Sequence, residues 1–340
     1  MMVSRQNTIV VVTLILVIGV LGGFALLRPA EEETAPTGPW TIIRPPSDVT
    51  CMAPIGDTLW VGGKLGIVGV KLQGFEVTDF PYDIKLSYVR HMIVDGGNLL
   101  VGHDNGLTIF NGSTYRTYTA KDGLIDGRVN YILISRNAEL WVGTAQGAYH
   151  KSGDQWPRIT TEDGLLSDQV NVMLEDGEGG LWFGSDVAPL GGISILKDGK
   201  WTYFTTDNGL PHNDVNSFYM EHDGSVWAAT GLLNVGGAVH FVEKDGSWVI
   251  SDVLNVEDGL PEGKVRSVYR DPSGVLWIGS ENKGLARIEA GGIQVFTGEQ
   301  GLSHEEVKVF WTDGEGNLWL GTRNGVTVLS MEDQKSLSLK

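Results

Sequence analysis

Apolar and polar residues alternate in short runs along most of the chain, and each run stops at a turn rich in Asp and Gly. Residues 122–144, DGLIDGRVNYILISRNAELWVGT, show the unit. A Gly-Leu turn leads into an alternating run, a polar turn follows, and a Leu-Trp-Val-Gly-Thr segment closes it. Residues 163–185, DGLLSDQVNVMLEDGEGGLWFGS, repeat the arrangement. Period-two alternation bounded by such turns predicts strands paired as hairpins.

The Trp-centred segment recurs at Trp60, Leu100, Trp141, Trp182, Trp227, Trp277 and Trp319, about 40 to 50 residues apart, a period typical of propellers and solenoids. A valine opens the run upstream of each: Val49, Val89, Val129, Val170, Val215, Val265 and Val307. The spacing from valine to Trp position is 11 residues in the first two units and 12 in the last five, so the hairpin register is nearly constant. A third run follows each Trp segment, as in GLTIF or GVTVL. A fourth opens at Phe75, Tyr115, Trp156, Trp201, Trp248 or Ile293. Each unit thus reads as a four-stranded antiparallel sheet that must be covered by its neighbours. The fold class is all-β: a seven-bladed β-propeller over residues 40–330.

The seventh unit lacks a fourth run, because MEDQKSLSLK (331–340) reads as a polar tail. At the other end PWTIIR resembles the fourth-strand segment KWTYFT. The expectation is that residues 40–44, from Trp40 to Arg44, supply the outer strand of the last blade and close the ring. The repeat Trp residues are expected in the core, since an indole between diverging sheets buries on the order of 200 Å².

The N-terminus breaks the pattern. Residues 9–27 are an uncharged, almost wholly apolar run, which at about 1.5 Å per residue can cross a core of about 30 Å. It predicts one transmembrane signal anchor after a short cytoplasmic segment, 1–8. Residues 28–39 follow as a Pro-rich acidic linker. Arg5 and the α-amine favour an inside N-terminus and an extracytoplasmic propeller. Secretion after cleavage is the alternative, although the exit LLRPAEEETAPTGP offers no good site.

The formal net charge is −17, from 42 acidic and 25 basic residues, which argues against a nucleic-acid partner. A single cysteine, Cys51, excludes an internal disulfide framework. The seven histidines, His91, His103, His150, His212, His222, His240 and His304, are scattered without metal-ligand spacing. No nucleophile elbow, His-Glu-x-x-His or phosphate loop is present. No cofactor, metal or catalytic residue is therefore assigned.

Binding candidates come from differences between units. The residues after the seven valines, Thr50, Arg90, Asn130, Asn171, Asn216, Arg266 and Lys308, are all polar. On first strands they would form one collar at the channel mouth, suited to an anionic or polyhydroxylated ligand. The plainer alternative is a solvated collar held by hydrogen bonds. Long connections between strands two and three of units four and five, with the adjacent interblade loop, place Asp186, Leu190, Leu232, Leu233, Asn234 and His212 on the same face as a rim.

The order Gly-Leu, Val-x-x-apolar, Asp/Gly turn, Leu-Trp-x-Gly-Thr resembles the two-component regulator propeller repeat, over roughly residues 40–330 and most closely in the units carrying DGL and LWVGT. That resemblance implies an extracytoplasmic sensor-type domain. In the family such propellers often belong to membrane histidine kinases, and several bind carbohydrate. No kinase, receiver or DNA-binding segment follows the seventh unit within the sequence. The expected role is a non-catalytic sensor or scaffold module for a small ligand, glycan or protein, with a separately encoded kinase as a candidate partner. A propeller enzyme similar to streptogramin lyases is the runner-up. It requires His212 and a second histidine to meet an acid across the rim.

Overall fold

In the computed structural model the described residues are 40–124, 127–186 and 190–337. The apolar run 9–27 and its flanks lie outside them. Among the described residues no helix is long and apolar enough to cross a membrane.

Seven four-stranded antiparallel sheets account for every named strand. In chain order blades 1 to 7 span residues 49–79, 89–118, 129–159, 172–204, 215–254, 265–296 and 307–329. The last blade takes its outer strand from Thr41–Ile43, paired antiparallel as Thr41↔Val328, Ile42↔Thr327 and Ile43↔Val326. Trp40 is buried against Phe296, with ring centroids 5.5 Å apart. Strand Thr41–Ile43 thus closes the ring, as the truncated seventh unit implied. First strands neighbour one another around the circuit, from blade 7 back to blade 1.

The repeat residues explain the close approach of blades. A Cβ on Gly62, Gly143 or Gly321 would come within 2.6 to 2.9 Å of Val89, Val170 or Val49 on the following blade. The glycine of Leu-Trp-x-Gly is thus the socket for the next unit's valine, and all seven valines are buried.

The Trp of the second strand is buried in blades 3 to 7, and Trp60 is half-buried. Three of these indoles reach a carboxylate six residues earlier in a tight turn. Trp182, Trp277 and Trp319 Nε1 donate to Asp176, Asp271 and Asp313 at 2.9, 2.7 and 2.9 Å. Glu221 serves Trp227 in the same way at 2.9 Å. The Asp/Gly turn and the Trp are therefore one hydrogen-bonded device, a link that alternation does not reveal. Residues 331–336, read as a polar tail, instead form a short helix, Met331–Ser336, capped by Ser330. Its continuation at Leu337 packs on the core cluster that includes Trp40.

Candidate functional site

The first strands present their site residues through an irregularity. In six blades the ladder between first and second strands shifts register at the residue after the valine, as between Val89 and His91 or Val265 and Ser267. The inserted residue has no partner in the ladder, which is the signature of a β-bulge. Asn171 of blade 4 stands just before its strand and donates its amide to Gly184 at 2.8 Å. The result is convergence. Arg90, Asn130, Asn171, Asn216, Arg266, Lys308 and Thr50, one from each blade, line a single cavity of about 410 Å³ at the channel mouth.

These residues divide into ties and charges. Asn130, Asn171 and Asn216 each donate Nδ2 to the valine carbonyl of the next blade, Val170, Val215 and Val265, at 3.0 Å. Thr50 does the same to Val89 at 2.6 Å. The plain structural role expected of a collar is thus present in the amides, whose carbonyls stay available to other donors. Asn130 Oδ1 accepts from Arg128 Nε at 2.7 Å, and Asn216 Oδ1 from Arg266 at 3.4 Å.

The cations are backed by carboxylates outside the cavity wall. Arg90 pairs with Asp104 at 2.7 Å, and its guanidinium lies 4.7 Å from the Tyr88 ring centre. Lys308 bridges Asp48 and Glu306, the latter at 3.4 Å, and Arg266 lies 3.6 Å from Glu306. Burial alone would raise the Asp48 carboxyl. The hydrogen bond and charge of Lys308, with the Tyr88 hydroxyl at 3.0 Å, outweigh it and hold the group below the usual range. Burial first, and then the Asp48 charge, pushes the Tyr88 phenol up to about 12. The cavity wall itself shows Arg90, Arg128, Arg266 and Lys308 against one carboxylate, Asp186. Acids outnumber bases 42 to 25 in the whole chain, so the wall inverts the protein's charge bias.

Aromatic side chains line the deeper part: Tyr131, Phe218, Tyr219, Tyr269 and Phe310, with His91 stacked on Tyr131 at 3.8 Å. Burial lowers the His91 imidazole to about 4, so it is neutral at physiological pH. Arg128, Tyr88 and this aromatic wall are not among the residues that the sequence singles out. The residue before each valine is as periodic as the one after it, and that signal was available.

The rim is less united. Asp186 lines the cavity, and its carboxylate accepts a hydrogen bond from the Gln169 side-chain amide. Leu190 is exposed, and part of its loop, 187–189, lies outside the described residues. The connection expected as a long loop in unit five is instead an extended hairpin. Strands Val226–Leu232 and Val235–Lys244 pair up to Leu232↔Val235, leaving Leu233 and Asn234 as the turn. The sequence TGLLNVGG continues the ladder because Gly231 and Gly236 pair face to face against Gly263, where side chains would collide. Leu232, Leu233 and Asn234 are exposed at its tip and do not line the cavity.

His212 does not line the cavity either. Its Nδ1 accepts the Asp214 amide at 3.0 Å, and His304 Nδ1 accepts the Glu306 amide at 2.9 Å in the equivalent turn. His103 is buried on Thr108, while His150 and His240 stack on Trp141 and Trp227. Among the described residues no group of three or more His, Cys, Asp or Glu side chains is placed to hold a metal ion. Burial pushes the Cys51 thiol up to about 12, which leaves it inert as a nucleophile. The cavity's chemistry is therefore that of a polar, cation-lined mouth over an aromatic wall.

A seven-bladed propeller with a polar channel mouth is the class that fold and site define. Residues 164–186 and 259–282 match the two component regulator propeller family, so the chain carries repeats of that family. No curated protein matches the chain at the sequence level. Among solved structures it is similar to the extracellular domain of the hybrid two component system BT3049 from B. thetaiotaomicron. The TM-score is 0.72 at 20% identity over 86% of this chain, which spans 40% of that one. It is also similar to a catalytically inactive virginiamycin B lyase from Staphylococcus aureus with quinupristin. There the TM-score is 0.65 at 13% identity, over 86% of this chain and 98% of the other. A third likeness is to YCF48 bound to D1 peptide, with TM-score 0.63, 13% identity and coverage of 86% and 95%. At these identities the likeness is one of fold.

Proposed function

We propose that this chain is a non-catalytic binding module of sensor or scaffold type, whose ligand or protein partner docks at the channel mouth. The observation that carries the reading is the convergence of one polar residue from every blade on one cavity, with four cations in its wall. Lys308 and Arg266 tie neighbouring elements through Asp48 and Glu306, and together with Arg90 and Arg128 they also line the cavity of an acidic protein. The repeat family and the fold likeness to an extracellular two component domain support an extracytoplasmic setting. Attachment through residues 9–27 rests on the length and apolarity of that run. A separately encoded sensor kinase fits the same setting. The lyase reading draws on fold likeness at 13% identity, and its required histidine pair does not converge on the cavity.

The test is a ligand screen by thermal shift on the chain and on a variant with Arg90, Arg266 and Lys308 all changed to Ala. A ligand that stabilises the parent should lose that effect in the variant. An unchanged shift in the variant would rule out the channel mouth as the site.

A further inference from the structure

Five of the blade boundaries are built alike. Each connector makes a capped turn, passes through a glycine with positive φ, and inserts a buried leucine five residues before the next valine: Leu124, Leu165, Leu210, Leu260 and Leu302. The boundary between blades 1 and 2 departs from this. Its connector reads FPYDIKLSY, with no Asp-Gly-Leu turn, and the position five before Val89 is the half-buried Ile84. A groove of about 580 Å³ opens at that boundary, lined by Leu65, Ile67, Phe80, Ile84 and Leu86 among others. Leu65 stands 81% exposed on it.

The groove and the channel mouth share a wall. Tyr88 lines both cavities. Asp104 lines the groove and pairs with Arg90, which lines the mouth. Tyr88 is held at φ +44°, a conformation that costs a bulky residue energy, and its hydroxyl is tied to Asp48. The partition is thus a fixed ridge of one aromatic ring and one ion pair. On one side of it lies cationic wall, and on the other an apolar floor.

Resting on the channel-mouth reading, we infer that the two cavities form one two-lobed site for an elongated amphiphilic carboxylate. The anionic head sits among Arg90, Arg266 and Lys308, and the apolar chain crosses Tyr88 into the groove along Leu65 and Ile84. Charge selects the head, because four cationic side chains and one carboxylate line the mouth. Shape selects the chain, because the connector into blade 2 lacks the leucine-plugged turn of the five alike and opens a groove lined by Leu65, Ile67 and Ile84.

Butyrate, octanoate and octylammonium are the probes, titrated calorimetrically into the full chain, into Leu65→Glu and into Arg90→Ala/Arg266→Ala/Lys308→Ala. Octanoate should bind at least about tenfold more tightly than butyrate, since four more methylenes leave water, and octylammonium should not bind. Leu65→Glu, at an exposed position, should abolish the length advantage and leave butyrate unchanged. The triple variant should weaken both carboxylates. Equal affinities for butyrate and octanoate, both lost in the triple variant, would overturn the two-lobed site and leave the channel mouth standing. Octanoate binding that survives the triple variant would overturn the placement of the head. Octylammonium binding as well as octanoate would overturn the charge selection.

Discussion

Asp176 shows how much a single residue of the repeat can hold. It is fully buried, and its carboxylate accepts from Gly180 and Glu178 amides at 2.7 and 3.0 Å and from the indoles of Trp182 and Trp248 at 2.9 and 3.2 Å. Removing it strands several buried donors, so Asp176→Ala should cost about 3 to 5 kcal/mol by chemical denaturation. Blade 3 supplies the converse. Ser135 occupies the equivalent position, accepts the Glu139 amide at 3.1 Å, and leaves Trp141 Nε1 buried without a hydrogen-bond partner. Ser135→Asp should restore the bond and gain about 1 kcal/mol, seen as a melting temperature higher by roughly 2 °C. His91 gives a pH signature. Burial lowers its folded-state pKa to about 4, from an unfolded value near 6.5. Its contribution is therefore complete above pH 6.5 and is lost as pH falls from there toward 4, because the unfolded chain takes up the proton first. His103 is lowered to about 4 in the same way. His91→Phe should flatten the fall in melting temperature between pH 7 and pH 5, and an unchanged slope would exclude this histidine as a source.

At the level of strands and turns, alternation and constant spacing made most elements legible, including the borrowed strand Thr41–Ile43. What they concealed has physical causes. The bulge after the valine in six blades breaks the period of two, so the collar residues are visible in sequence as an equivalent set but not as interblade ties. The residue before the valine is Tyr88 in blade 2 and Arg128 in blade 3, and both line the cavity. The hairpin of blade 5 was read as a loop because two glycines and two leucines do not alternate. There the backbone pairs Gly231 with Gly236 under the pressure of a close neighbour. Its turn places Leu233 at φ +56°, which is costly for a γ-branched side chain. Leu233→Gly should therefore leave stability unchanged or raise it by up to about 1 kcal/mol, measured by thermal denaturation. A large loss would mean that the exposed leucine makes a contact of its own.

For the whole molecule, closure decides cooperativity. Residues 40–43 pack and pair with a blade that begins at Val307, so the two ends of the propeller hold each other. Trp40→Ala removes a buried indole from that seam and should cost about 3 to 5 kcal/mol, with the loss spread over a single unfolding transition. The same closure holds the seven collar residues at one mouth, where they can act together. Hydrogen exchange with and without a stabilising ligand reads out that joint action. The account predicts added protection at the starts of the first strands, around residues 89–92, 129–132, 215–218, 265–268 and 307–310, on several blades at once. Protection confined to the outer strands, or to one blade away from the channel, would contradict it.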